Sequence, residues 1–288
     1  MAASCTVARR RALAFARWSA IALALVWTMF PIAWAVLLSG KPTALEYRSV
    51  YVPFVQFRPT LAHWRWEWQQ RGEINGLEIG LRNSLAVALT TAVLATLLGL
   101  LAAGGLQRMR WRLRGGLLAL LLLPRIVPPI VLSGPIFLWT RQVRMHDTLT
   151  ALAAIHTGLA LPLAVVVLDG ALREVPGDLL DAARLDGASE LRVLVRIAAP
   201  LLGPVLVAIG TLSFALSWVE YLFAQTNHAS RAYTLTLSVA FLEERDGVQF
   251  EHVGSHLVLV LLPPLVLGLL AQRVVARGFS LGAVRSDR

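Results

Sequence analysis

The residues whose types and spacing suit chemistry gather in one polar stretch between apolar runs. It reads Asp181-Ala182-Ala183-Arg184-Leu185-Asp186-Gly187-Ala188 and, after nine residues beyond Gly187, Ile197-Ala198-Ala199-Pro200. These types suit recognition. Alanine and glycine let another backbone come close, and the carboxylates can pair with its cations. Pro176 fits the first turn of a short helix. Leu172, Val175, Leu179 and Ala183 fall on roughly one face of it. Asp186-Gly187 is a turn signal in which glycine can take positive φ. Ser189 stands where it can cap a second short helix. There Leu191, Leu194, Val195 and Ala198 follow the i, i+3, i+4, i+7 pattern, and Pro200 ends it. The spacing predicts a helix-turn-helix outside the apolar segments. An amphipathic hairpin lying on a lipid surface is the alternative.

A second set of polar groups lies within or near apolar runs. Arg125 costs about 2.5–3.5 kcal/mol on insertion scales if it faces lipid. Snorkelling or a buried ion pair would relieve that cost, and a charge lining a solute path is the functional alternative. Trp218 and Glu220 fall near the end of one apolar run, where they can line such a path. Trp is also common at membrane interfaces. His156 reads as a packing or hydrogen-bonding residue. The only lysine, Lys41, sits in Ser39-Gly40-Lys41-Pro42-Thr43. That stretch lacks the first glycine of a nucleotide-binding P-loop and has proline after the lysine. Neither a zinc-protease motif nor a nucleophile elbow is present. Cys5 is the sole cysteine, so an internal disulfide and a cysteine-based zinc site are excluded. No metal, no catalytic residue and no cofactor of its own are expected in this chain.

The elements that must position these groups follow from composition. Of 288 residues, 57% are hydrophobic and 15% charged, with mean hydropathy +0.65. Soluble domains carry about 45–50% apolar and about 25% charged residues, so lipid is the expected solvent. The net charge of +10 raises nucleic acid as a partner. The arginines are scattered through short loops instead of one basic face, which argues against it. Six apolar segments run at about 18–38, 82–105, 117–139, 149–170, 203–223 and 254–273. Each is long enough to span the roughly 30 Å hydrocarbon core as a helix. The expected fold is an all-α integral membrane protein built as a six-transmembrane-helix bundle. Small residues such as Gly99, Ala102, Ala103, Gly104 and Gly105 permit close helix approach. Pro124, Pro128, Pro129, Pro162, Pro263 and Pro264 are expected to bend helices.

The expected layout is an amino-terminal segment 1–17, a first span 18–38, a loop 39–81, a core 82–273 containing the loop 171–202, and a tail 274–288. Arg9, Arg10 and Arg11 before an apolar run, with Ala33-Trp34-Ala35 after it, resemble a signal peptide. The run from Trp18 to Leu38 is long enough to remain as a first spanning helix, which is the expectation. Sixteen arginines fall in 1–17, between the second and third segments, in 171–202 and from Arg273 to Arg288. Nine cationic residues fall in the opposite loops. Both termini are therefore expected in the cytoplasm. Trp64, Trp66 and Trp68 in the outward loop are expected as interfacial anchors or a docking surface.

The polar stretch resembles the signature loop of binding-protein-dependent ABC transporter permeases. That motif is Glu-Ala-Ala, three residues, Gly, nine residues, then Ile-x-Leu-Pro. Ala182, Ala183, Gly187, Ile197 and Pro200 match it; Asp181 replaces Glu and Ala199 replaces Leu. The likeness covers most of the chain from about residue 80. It includes Asn83-Ser84-Leu85-Ala86-Val87-Ala88, Leu161-Pro162-Leu163-Ala164 and Arg173-Glu174-Val175-Pro176. The ending Arg277-Gly278-Phe279-Ser280-Leu281-Gly282-Ala283-Val284-Arg285 resembles that of maltose-type second permeases. Ser213 to Tyr221 resembles a Trp-Asn-acidic stretch of the family, with Val219 where Asn is usual. The resemblance implies the type I importer permease fold in a bacterial inner membrane. It implies a second permease subunit, an extracytoplasmic substrate-binding protein and two ATPase subunits that bind ATP. It also implies that Asp181, Ala182, Ala183, Asp186 and Gly187 meet an ATPase subunit, within a loop closed by Ile197 and Pro200. The implied solute is a carbohydrate; a polyamine, an anion or a peptide is the alternative. A lone ion-coupled transporter is a further alternative, which paired intramembrane carboxylates in repeated halves would mark.

Overall fold

The structure is a computed structural model, and it describes residues 2–42, 45, 50–69, 77–239 and 250–283. Arg48, Arg71, Arg245, Arg285 and Arg288, counted above for orientation, lie outside the described residues, as do the side chains of Trp66 and Trp68. The elements are helical: α1 (Ala2–Ser39), α2 (Ala62–Gln69), α3 (Leu77–Leu106), α4 (Trp111–Leu122), α5 (Pro129–Gln142) and α6 (Leu149–Arg173). They continue as α7 (Gly177–Leu185), α8 (Glu190–Val193), α9 (Ala199–Leu201), α10 (Gly203–Trp218), α11 (Leu222–Asn227) and α12 (Phe250–Ala283). A 3-10 turn, Leu123–Arg125, follows α4, and a π-helical turn, Leu194–Ala198, joins α8 to α9. Among the described residues the extended pairing is a single bridge between Pro53 and Phe57.

Among the described residues four helices are long and apolar enough to cross a membrane: Leu13–Ser39, Leu77–Leu106, Leu149–Arg173 and Val253–Ala276. Two bent pairs bring the number to six when each pair is counted as one span. Trp111–Arg125 meets Pro129–Gln142 at 91°, and Glu190–Leu201 meets Gly203–Trp218 at 85°. The third apolar segment, 117–139, is thus not one helix. Pro128 and Pro129 withhold two amide donors, and Pro128 sits at φ −55°, ψ 131°, outside the helical region. The fifth segment, expected to run to 223, ends as α10 at Trp218. Val219 caps it at φ −90°, ψ 0°, and α11 begins three residues later.

The chain divides into two compact units. One comprises residues 1–69 and 242–261. In it the end of α1 runs close to the start of α12. A Cβ at Gly254 would fall 2.7 Å from the Ser39 amide nitrogen and 2.8 Å from Leu38 Cβ. Only a residue without a side chain fits that approach.

The other unit comprises 70–241 and 262–288. Its centre is the packing of α3 on α6. A Cβ at Gly99 would lie 2.9 Å from Ala164 Cβ, so glycine permits this contact. Gly104 meets Leu194 in the same way, at 2.7 Å, whereas Gly105 faces open space. One apolar cluster joins Leu100, Ala103, Ala164, Leu168, Leu172, Val175, Ala198 and Leu202. A second joins Val87, Leu152, Ile155, Phe223, Ala224, Tyr233 and Leu237. The first cluster packs the residues that flank 177–201, and thereby fixes where the polar loop stands.

Candidate functional site

The loop forms two short helices joined by a tight turn. α7 starts directly after Pro176 and ends in a Schellman-type cap. The Ala188 amide donates to the Ala183 carbonyl, and the Gly187 amide to the Arg184 carbonyl, both at 3.0 Å. Gly187 takes φ +81°, the left-handed conformation this cap requires. Nothing lies within 4 Å of a Cβ built there, so its surface is open to a second molecule. Asp181, Ala182, Asp186 and Gly187 are exposed, and Ala183 is half-buried. Leu180 of α7 packs against the first apolar cluster and seats the helix. Leu185 stands 90% exposed beside the turn, with Leu191 60% exposed on α8.

The loop's charges are linked. Arg184 donates to Asp181 and, through Nε at 3.0 Å, to Glu190; Arg108 at the end of α3 meets Glu190 at 2.8 Å. Hydrogen bonds to Glu190, then to Asp181, hold the Arg184 guanidinium above its ordinary pKa. The bond from Arg184 holds the Glu190 carboxyl below its own. Exposed pairs of this kind contribute little stability. Their effect is to brace α7 against α8.

Two local expectations need correction. Ser189 occupies the N-cap position with extended backbone, but its side chain makes no capping bond. The buried face of the second helix is Val193, Leu194 and Ala198, while Leu191 and Val195 face outward. The π turn adds a residue per turn there, so a 3.6-residue period misassigns the face. Ile197 lies in that turn, and Pro200 in the middle of α9 ahead of the bend at Leu202.

The second set of polar residues converges only in part. A cavity of about 220 Å³ is walled by Arg125, His156, Ser217 and Glu220 together with Leu132, Leu159 and Phe223. Arg125 Nη1 donates to the Leu159 carbonyl at 2.8 Å, which satisfies part of its guanidinium. His156 bridges Ser217 Oγ at 2.7 Å and Glu220 Oε2 at 3.1 Å. Ser217 in turn donates to Thr91 at 3.3 Å. Glu220 also accepts from the amides of Phe223 (2.9 Å) and Ala224 (3.1 Å), so it fixes the start of α11. Trp218 is outside the cavity wall. It is 2% exposed and stacks on Phe214 with ring centroids 5.4 Å apart.

Sequence reasoning passed over the groups that hold the segment 229–235. Asn83 donates to the carbonyls of Tyr233 (2.8 Å) and Arg231 (3.1 Å), and Ser84 accepts from the Leu235 amide at 2.8 Å. From the α5–α6 connection, Asp147 accepts from the amides of Ala229, Ser230, Arg231 and Ala232. Burial pushes the Asp147 carboxyl up, but those four donors outweigh it and hold it well below the usual carboxylate range. Asn83-Ser84 was legible as a motif, whereas its partners, some 150 residues away, were not.

Residues 95–280 match the family described as binding-protein-dependent transport system inner membrane component. The chain is 30% identical over 263 residues to the trehalose transport system permease protein SugB of Mycobacterium tuberculosis, covering 90% of this chain and 93% of that protein. It is 30% identical over 205 residues to the melibiose/raffinose/stachyose import permease protein MelC of Bacillus subtilis, covering 70% and 74%. Among solved structures, a bacterial ABC transporter involved in the import of the acidic polysaccharide alginate superposes with TM-score 0.71 at 16% identity, covering 91% of this chain and 96% of that chain. With the signature loop in the geometry described above, the protein belongs to the inner membrane components of binding-protein-dependent transport systems.

Proposed function

We propose that this chain is a membrane-spanning permease subunit of an ATP-driven importer whose solute is a carbohydrate. The observation that carries the reading is the turn at Gly187. Its left-handed glycine, its exposed carboxylates and the uncovered Leu185 occupy the positions of the family's signature loop. Relatives named for trehalose and for melibiose, raffinose and stachyose support the solute class. The partners are two ATPase subunits that bind the ATP, a second permease, and an extracytoplasmic binding protein. In this reading the ATPase site lies in those partner subunits, and the ATP is bound there. ATP closure of the ATPases shifts the permeases between states only because those states bind ATP with different affinity. The solute path is proposed to run through the 220 Å³ cavity that Arg125 and Glu220 help to wall.

The test is uptake of the sugar carried by the cognate binding protein. Loss of this chain abolishes uptake, and the loaded binding protein stimulates ATP hydrolysis only in the complete assembly. Arg125→Gln lowers uptake with assembly intact. Persistent uptake without the chain, or stimulation in its absence, refutes the assignment. Unchanged uptake in Arg125→Gln reduces that residue to a bond with the Leu159 carbonyl.

The orientation rests on the sixteen-to-nine distribution of cationic residues. Reporter fusions at Leu113, Arg192 and the carboxyl terminus are expected to report cytoplasm. Fusions near Gln69 and Arg245 are expected to report the exterior. A reversed pattern overturns the orientation, and termini on opposite sides rule out the six-span arrangement.

A further inference from the structure

The segment after α1 carries a turn that the importer reading leaves unexplained. Phe54 is 84% exposed and Val55 82% exposed at its tip. Phe54 holds φ +64°, a region aromatic residues seldom enter. A flexible aqueous loop would relax that angle. Here the turn is pinned from inside. The Gln56 side-chain oxygen accepts from the amides of Tyr51 (2.7 Å) and Val52 (2.9 Å). The Phe54 amide donates to the Phe57 carbonyl at 2.7 Å, and the Gln56 amide to the Val52 carbonyl at 2.9 Å. Four amides of the turn are thus satisfied without water. Hydrocarbon makes this demand of any backbone that enters it.

The depth of the turn follows from its contacts with α1. Tyr51 packs against Trp34 with ring centroids 5.3 Å apart, and Trp34 stacks on Phe30 at 5.8 Å. Trp34 is five residues before the end of α1, about 7.5 Å down the helix axis at 1.5 Å per residue. The chain is back at the helix end by Thr60, whose amide donates to the Gly40 carbonyl at 2.9 Å. Between Tyr51 and Thr60 the chain therefore passes from beside Trp34 back to the helix end, turning at Pro53–Gln56. Few residues of the apolar span Leu13–Ser39 are buried within the chain, and the turn continues its apolar surface. Trp34 and Tyr51 are the types that sit at a membrane interface, and the exposed Arg58 is placed to reach phosphates above them.

We infer that residues 51–57 form a preformed interfacial anchor, which buries Phe54 and Val55 among the lipids of the leaflet at the carboxyl end of α1. In the orientation proposed above this is the outer leaflet. The insertion itself does not depend on sidedness or on the transported solute. The occupant is lipid because the tip bears apolar side chains without a charge, four amides of the turn are internally paired, and it extends the apolar face of α1.

The experiment places a nitroxide at Val55→Cys in a Cys5→Ser background, with the assembled transporter in phosphatidylcholine–phosphatidylglycerol liposomes. A second label at the exposed Arg65 gives the aqueous reference. Collisions with oxygen are expected to exceed those with a water-soluble nickel chelate at position 55, and the reverse at position 65. Adding Phe54→Asp is expected to abolish the oxygen preference at position 55 while transport assembly persists. Nickel accessibility at 55 equal to that at 65 puts the turn in water and overturns the anchor. Exclusion of both relaxants at 55, or their exclusion once the binding protein is added, makes the turn a protein contact and overturns it equally. A fault in the importer assignment would show in the uptake assay and leave this ratio unchanged.

Discussion

Gly187→Val is expected to abolish ATP-driven uptake while leaving the chain in the membrane. The residue holds φ +81°, which costs an ordinary L-residue roughly 1–2 kcal/mol and a β-branched one more. No atom of this chain lies near the added side chain, so the damage is not a clash within the subunit. Instead the cap at the end of α7 distorts, and bulk appears where the ATPase surface must approach. Asp181→Lys attacks the same contact by charge. It removes the Arg184 partner and places a second cation beside that arginine. Both variants leave the apolar segments untouched, so insertion is expected to be normal. Copurification of the ATPase subunits and solute-stimulated ATP hydrolysis are the measurements, and both are expected to fall. Gly187→Asn is the control for shape, because asparagine tolerates the left-handed region, and it is expected to retain more coupling than valine. Normal copurification and normal coupling in Gly187→Val and Asp181→Lys together would falsify the docking role and leave a hairpin lying on lipid.

That turn was legible because its determinants are local. A glycine after Ala-Arg-Leu-Asp, with alanines one turn earlier, specifies a Schellman cap whatever surrounds it. The long apolar runs were legible for a similar reason: helix is what a spanning backbone must adopt. The breaks were less so. Of the prolines expected to bend helices, Pro162, Pro263 and Pro264 sit inside continuous helices while Pro128 marks a 91° bend. The face of the second loop helix was misread because a π turn changes the period between Leu194 and Ala198. The cavity was half legible. Arg125 and Glu220 stood out as charges in apolar runs, but His156 and Ser217 join them only through packing across 61 residues of sequence. Trp218 stood out by type, and the fold directs it onto Phe214.

The largest stability effect is expected from a residue that attracted no attention in the sequence. Asp169, near the end of α6, accepts from Arg114 Nη2 at 2.5 Å, from Arg173 Nη2 at 3.0 Å and from Gln107 Nε2 at 3.2 Å. Its side chain is 3% exposed and that of Arg114 13%. α4 has no buried residue, so the half-buried Arg114 is the main polar tie holding the start of that helix to α6. Asp169→Ala leaves a guanidinium in a buried site, where its Nε already has no acceptor. Breaking one side of a buried pair costs about 3–5 kcal/mol. Arg173 is exposed enough to find water and does not share that penalty. The assembled transporter is therefore expected to unfold at a lower temperature in detergent, and uptake is expected to fall as α4 loses its register. The double variant Asp169→Ala with Arg114→Leu separates charge from shape. Replacing both partners by apolar groups is often neutral, so it is expected to recover most of the thermal midpoint. Recovery of the midpoint without recovery of uptake gives the pair a role in moving α4 with α6 during the cycle. A double variant as unstable as Asp169→Ala alone would show that the cost is lost packing, and the tie between α4 and α6 would no longer be electrostatic.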